Sequence, residues 1–281
     1  MNISKTIKFF LDLLMKYLGY IGTLVTIGVF VFPNYFESIA QVQKIIISCI
    51  LIATTIALFN LCKKDFTISM KKNINIEIKE KDIFEIKDGI VVIPVNEFFD
   101  TRVADGIICE KSLHGKFIKE HFGGNTEELD EAINDSLSEE EFEEVNGQRS
   151  KGKTKSYKIG TVAKVKVKNN GVIYFLLALT KFKEESKKEN HRAIFTASNH
   201  MMAIAKLFEY IEQNSDGAKI NIPLIGTGRG GNLTAEDSLS TILNTIAINE
   251  NLKLENGIDI IHQYDRKKIL NLKIRSKGYE L

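Results

Sequence analysis

The chain has 281 residues, 44% of them hydrophobic and 26% charged, with 38 Lys and Arg against 36 Asp and Glu. That length can bury a substantial core in one large or two smaller domains, and a net charge of +2 gives no general reason to expect a nucleic-acid partner. Cysteines without a C-x-x-C spacing exclude a disulfide framework and a structural zinc site, and the scarcity of proline and polar repeats excludes a disordered chain.

The near-zero mean hydropathy averages two unlike regions. Residues 17–36 and 45–62 carry no charge, and each matches the roughly 17–25 apolar residues that a helix needs to cross a bilayer. Pro33, Asn34, Tyr35, Phe36 and Glu37 join them with a helix breaker and interfacial aromatics. Lys5, Lys8 and Lys16 precede the first stretch and Lys63, Lys64, Lys71 and Lys72 follow the second, with Lys44 alone between them. By the positive-inside rule both termini face the cytoplasm. A cleaved signal peptide is disfavoured, because no small-x-small site follows the first stretch. A soluble buried hairpin competes, but it requires helices apolar on every face. Gly19/Thr23, Gly22/Thr26 and Ala53/Ala57 form small-residue rows that permit close helix approach. Residues 1–65 are thus expected to form a two-helix transmembrane hairpin, and 66–281 a separate domain.

Beyond Phe66 the periodicities predict an α/β domain. Residues 89–95 read as a buried strand and 107–122 as a helix; the acidic run 127–144 and the basic residues Arg149 to Lys158 read as a solvated helical insertion and loop. Residues 161–168 alternate as a half-exposed strand, Asn169-Asn170-Gly171 supplies a hairpin turn, and 172–179 is the buried partner. A helix over 191–213, a strand over 220–225, a helix from Thr234 to about Asn249 and a strand over 258–262 complete a mixed or parallel sheet with helices on its faces. Cys109 reads as a core residue. His114 and His121 share a helix face, but without a carboxylate at ligand spacing they make a poor metal site.

Gly226-Thr227-Gly228-Arg229-Gly230-Gly231-Asn232 lies between the strand ending near Ile225 and the helix opening near Thr234. Glycines let backbone N–H groups approach phosphate oxygens, and the helix N-terminus adds a positive dipole end. Thr234 with Asp237 resembles a capping box. The loop also satisfies G-x-G-x-x-G, but the acidic residue and further βαβ units of a dinucleotide fold are missing. No Lys-Ser/Thr pair closes a P-loop either. Anion binding and a purely structural glycine turn are the two readings left.

Together these pieces resemble the macro domain family of ADP-ribose-binding modules. The resemblance runs from Lys81-Asp82-Ile83-Phe84, similar to the family's Gly-Asp-Ile, through Asp88 to Asn96, similar to its Asp-Ala-Ile-Val-Asn-Ala-Ala-Asn strand. It continues in Tyr157-Lys158-Ile159-Gly160-Thr161 and in the stretch from Ile222 to Gly231, similar to the Pro-Ala-Ile-Gly-Thr-Gly-x-x-Gly phosphate loop. It implies a three-layer α/β/α macro-type domain with a mixed central sheet. By the same resemblance Asp82 would accept the adenine amino group, Ile83 would contact the base, Asn96 would face the distal ribose and residues 226–232 would wrap the diphosphate. Tyr264 would stack on adenine. Hydrolytic members carry a flexible Gly-Gly-Gly-Val-Asp loop after the Asn; here Phe98, Phe99, Asp100, Thr101 and Arg102 stand there, with Asp105 at the acidic position. Binding without turnover is therefore the expectation, with no catalytic residue, metal or cofactor; a hydrolase using Asn96 and Asp105 is the alternative.

The whole chain resembles the membrane-anchored macro effectors of bacterial Thoeris anti-phage systems. That resemblance implies an ADP-ribose-derived signal made from NAD by a partner TIR-domain enzyme, a bacterial inner-membrane location with two spans, and self-assembly on activation. Its outcome would be membrane disruption and growth arrest.

Overall fold

An apolar stretch without charge leaves its backbone no better partner than itself, and both N-terminal stretches are largely α-helical. The computed structural model describes residues 3–36, 38–70, 74–103, 106–123, 125–145, 149, 151–168, 171–183, 192–228, 231, 233–249, 252–262, 266–277 and 279. Helix α1 spans Ile3–Val31, a 3-10 turn covers Pro33–Phe36, and α2 spans Ile39–Cys62. The first helix therefore starts well before residue 17 and stops short of 36, because Pro33 ends it. Ala53 and Ala57 are fully buried, whereas Gly19 and Gly22 would meet nothing within 4 Å if given a Cβ. Thr23, Thr26, Thr54 and Thr55 each donate to the carbonyl four residues back, at 2.8–3.0 Å, so their hydroxyls are satisfied without water. Both helices are long and apolar enough to cross a membrane, and almost none of either is covered by the rest of the described chain. Phe30, for instance, is 83% exposed. A helix α7, Arg266–Ser276, follows the last strand; residues 265–275 and 1–64 form one compact unit, and 65–264 with 276–281 a second.

The second unit is built on strands β1 (Phe66–Ser69), β2 (Asn75–Glu80), β3 (Gly89–Asn96), β6 (Val162–Lys166), β7 (Val172–Lys183), β9 (Ile220–Pro223) and β10 (Ile258–His262). Their order is β1-β2-β10-β9-β3-β7-β6. The five inner strands run parallel and the two edge strands antiparallel. Period-two alternation then sorts the side chains. Val91, Ile93 and Val95 of β3 join Tyr174, Leu176 and Ala178 of β7 in one core with α3 (Leu113–Phe122) and α4 (Glu127–Ser136), through Phe117, Ile118, Leu129 and Ile133. Helices α5 (Ala197–Asn214) and α6 (Ala235–Ile248) bury Leu207, Phe208, Leu239, Ile242 and Leu243, and α5 packs on β7. The result is the expected three-layer α/β/α fold with a mixed sheet.

Several expectations are corrected. The helix of 107–122 begins only at Leu113: Ser112 caps it, accepting from Gly115 N at 3.0 Å, and residues 109–112 fold so tightly on its first turn that a Cβ at Gly115 would lie 2.3 Å from the Cys109 carbonyl. Cys109 itself is exposed, not core. After α4 the acidic run becomes β4 (Phe142–Glu144), which pairs with β5 (Lys155–Tyr157). Charge complementarity thus folds the basic segment back on the acidic one. The helix expected from 191 starts at Ala197 with Thr196 as its cap, because β8 (Arg192–Ile194) first pairs antiparallel with the end of β7. Helix α7 was not anticipated, and the turn at Asn169 and Asn170 lies outside the described residues.

His114, on the buried face of α3, has no hydrogen-bond partner for Nε2 among the described residues. Burial, reinforced by the Lys153 charge, pushes it from its ordinary 6.5 down to about 3, so the folded chain keeps it neutral. As pH falls below 6.5 the unfolded chain binds the proton first; this contribution to stability is complete above that value and is lost progressively down to about 3. His114→Gln should flatten the stability–pH slope in that window by up to about 1.4 kcal/mol per pH unit, read from unfolding of the full chain in detergent at a series of pH values.

Candidate functional site

In open parallel sheets ligands bind at the carboxyl ends of the strands, where the connections diverge. That edge gathers the sequence motifs. Asp82 and Ile83 follow β2, residues 263–265 follow β10, the glycine loop follows β9, and Asn96 ends β3. Strands β3 and β9 pair only near their amino ends, Ile90 with Ile220 and Val91 with Asn221. Strand β9 ends at Pro223, whereas β3 runs on to Asn96, so the glycine loop leaves the sheet on one side of this edge and the turn after Asn96 on the other.

The loop is a built turn. Gly226 has φ +84°, and a Cβ there would come within 2.8 Å of the Phe195 ring. A Cβ on Gly231 would lie 1.9 Å from the Gly226 carbonyl, so the loop closes on itself only because both positions are glycine. Gly231 N donates to Gly228 O (3.0 Å) and Leu233 N to Gly226 O (3.3 Å). Thr227 Oγ1 donates to Leu224 O at 2.7 Å. The Ile225 carbonyl, at the loop's entrance, accepts from Ser238 Oγ (2.7 Å) and lies 3.2 Å from His200 Nε2, whose pKa burial lowers. At the exit Thr234 caps α6, accepting from Asp237 N at 3.1 Å, as the capping box requires. Gly228 differs: among the described residues nothing lies within 4 Å of a Cβ placed on it, so the loop's crest faces open space there. Arg229, Gly230 and Asn232 lie outside the described residues.

At the other lip Asn96 is 6% exposed. Its Oδ1 accepts from Phe98 N (3.0 Å) and Asp100 N (3.3 Å), and its Nδ2 donates to Asp100 Oδ2 (3.1 Å). Those contacts use one of the two amide hydrogens. Asp100 also accepts from Lys153 N (2.8 Å) and pairs with Arg149, whose Nη2 is 2.8 Å from Oδ2. The side chains of Arg149 and Asp100 are only 2% and 1% exposed, and the guanidinium lies over the Phe98 ring at 3.8 Å. Arg149 is thus no part of a solvated face, and sequence reading missed it: nothing distinguishes it from its basic neighbours except a buried carboxylate 49 positions away. Beside this lip opens a cleft of about 580 Å³ lined by Glu97, Glu140, Glu141 and Glu143 with Lys158 and Lys181. Four carboxylates against two ammonium groups make this cleft unfavourable for an anion. Asp82 caps the 3-10 turn Ile83–Glu85, accepting from Phe84 N at 3.2 Å, and Ile83 is buried. Asp105 and Tyr264 lie outside the described residues.

The family described as "Thoeris protein ThsA, Macro domain" matches residues 76–263, about two thirds of the chain and all of the edge just described. The chain belongs to this family. It is 33% identical over 156 residues to the Thoeris protein ThsA of Bacillus amyloliquefaciens (strain Y2), an alignment covering 54% of this chain and 48% of that one. The chain therefore aligns with about half the length of this curated relative. Among solved structures it is similar to the Oceanobacillus iheyensis macrodomain with MES bound (13% identity, TM-score 0.48, 76% of this chain and 96% of that one). It is also similar to the macrodomain of Thermus aquaticus DarG (15%, TM-score 0.41, 67% and 98%).

Within this macro domain the two lips are stabilised differently, and two variants separate them. Gly231→Ala, which drives a Cβ into backbone, should cost about 1–3 kcal/mol, whereas Gly228→Ala should stay within about 0.5 kcal/mol of the parent; thermal unfolding of the full chain in detergent reads both. Arg149→Met leaves Asp100 buried without its counter-charge and should cost about 3–5 kcal/mol, a Tm fall of roughly 10 °C.

Proposed function

We propose that this chain is a membrane-anchored sensor and effector of Thoeris defence. Its macro domain, within 66–281, binds an ADP-ribose-derived nucleotide, and its hairpin, within 1–65, lies in the bacterial inner membrane with both termini cytoplasmic. The observation that carries the reading is the self-closed glycine loop with open space at Gly228, ahead of the capped α6 N-terminus and at the carboxyl edge of the sheet. The first N–H groups of α6 and the positive end of its dipole favour an anion there. Adenine falls toward Asp82 and Ile83, the diphosphate on 226–232, and the distal ribose toward Asn96, with Tyr264 at the adenine end. The signal comes from a TIR-domain enzyme acting on NAD; its binding favours an assembly of several copies whose hairpins disrupt the membrane and arrest growth.

Binding, not turnover, suits this lip. Among the described residues the carboxylate nearest Asn96 in the turn, Asp100, accepts from Asn96, Arg149 and Lys153, which leaves it poorly placed to act as a base.

Calorimetry of the full chain in detergent with ADP-ribose tests the site. Gly228→Glu places a carboxylate where phosphate would lie and should weaken binding about a hundredfold or more, roughly 3 kcal/mol, with the thermal unfolding of the parent. Unchanged affinity in that variant refutes the loop assignment. Release of ADP-ribose from a modified protein by the parent, lost in Asn96→Ala, would instead establish the hydrolase.

A further inference from the structure

The small net charge of the chain hides a segregation. The compact unit of residues 1–64 and 265–275 holds eleven basic residues against three acidic ones, while the remainder holds 27 against 33. The densest part is the segment from Arg266 to Lys277, which contains Arg266, Lys267, Lys268, Lys273, Arg275 and Lys277 and no carboxylate. Lys273, Arg275 and Lys277 interact within the chain, and Arg266, Lys267 and Lys268 open the helix, where positive charge opposes the dipole and negative charge from elsewhere is stabilising.

One of these residues shows where the helix sits within its unit. Lys273 is 5% exposed, and its Nζ donates to the carbonyls of Asn60 (2.8 Å), Leu61 (3.4 Å) and Lys63. The last carbonyls of a helix lack intrahelical donors and carry the negative end of its dipole. Lys273 thus caps α2 from a helix more than two hundred residues away, at the point where the apolar segment gives way to Lys63 and Lys64. A helix pinned there lies at the depth of the lipid headgroups if α2 spans the bilayer.

We propose that α7 is a juxtamembrane helix whose positive charge is partnered by anionic phospholipid headgroups of the leaflet from which α2 emerges. The inference rests on the membrane reading of the hairpin. Continuity with the apolar helices favours a lipid partner over another polyanion, and each Lys or Arg near an anionic leaflet adds to binding.

The test uses the full chain in nanodiscs of phosphatidylcholine, with and without phosphatidylglycerol, and follows amide hydrogen exchange over 266–276. Phosphatidylglycerol should slow exchange about tenfold or more, the gain shrinking roughly fivefold per cation removed and fading in high salt. Arg266→Gln/Lys267→Gln/Lys268→Gln should abolish the lipid dependence. Lys273→Met should speed exchange in both lipids, which separates the pin from the surface. Equal exchange in the two lipids, a lipid effect that survives the triple variant, or binding of duplex DNA in preference to phosphatidylglycerol would overturn the proposal. Extraction of the chain from membranes by alkaline carbonate would overturn the hairpin reading instead; a chain that resists extraction but shows no lipid dependence refutes the α7 proposal alone.

Discussion

The constraint on which the carboxyl edge depends is unequal strand length: β9 ends at Pro223 beside a β3 that runs on to Asn96, with ladder pairing at Ile90–Ile220 and Val91–Asn221. Everything at the carboxyl edge follows. Because β9 stops at Pro223, the chain can turn into the glycine loop and then into α6; because β3 runs on to Asn96, the turn after it reaches a different height.

The lips of this edge are stabilised by opposite means. On the β9 side stability comes from the absence of side chains: Gly231 approaches the Gly226 carbonyl more closely than any Cβ permits, and the loop's polar groups bond to one another. On the β3 side it comes from charge, with Asp100 and Arg149 buried together and stacked on Phe98. A buried ion pair is a weak source of net stability but a strong constraint on geometry, since separating its members is costly. It ties the segment leading into β5 to the turn after Asn96. The turn after Asn96 is thereby a fixed wall, with the acidic cleft lined by Glu97 beside it.

What could be read from the residues was whatever depends on neighbours in sequence. The apolar helices, the buried strand 89–95, the Thr234–Asp237 cap and the glycine loop all follow from local periodicity or local turn chemistry, and the fold confirms each. What escaped depends on partners far away. Arg149 looked like one cation in a basic run because Asp100 is 49 residues distant. The helix expected from 191 was truncated by a strand that exists only because β7 extends to Lys183. Cys109 was placed in the core by its type, whereas the tight turn onto Gly115 holds it at the surface. Helix α7 alternates apolar and basic residues with too little contrast to declare itself, and its anchor lies at the far end of the chain.

That anchor also bears on how binding could be felt by the hairpin. A ligand shifts a conformational equilibrium only through a difference in its affinity for the two states. The sensor reading therefore needs an element that touches the ligand's surroundings and is tied to α2. Strand β10 lies beside β9, ends at His262 level with the glycine loop, and is joined to α7 by residues 263–265 alone. From α7 the Lys273 ammonium leads to the carbonyls that end α2. Lys273, bonded to three carbonyls at once, holds α7 to the end of α2 where a lone surface ion pair would yield to solvent.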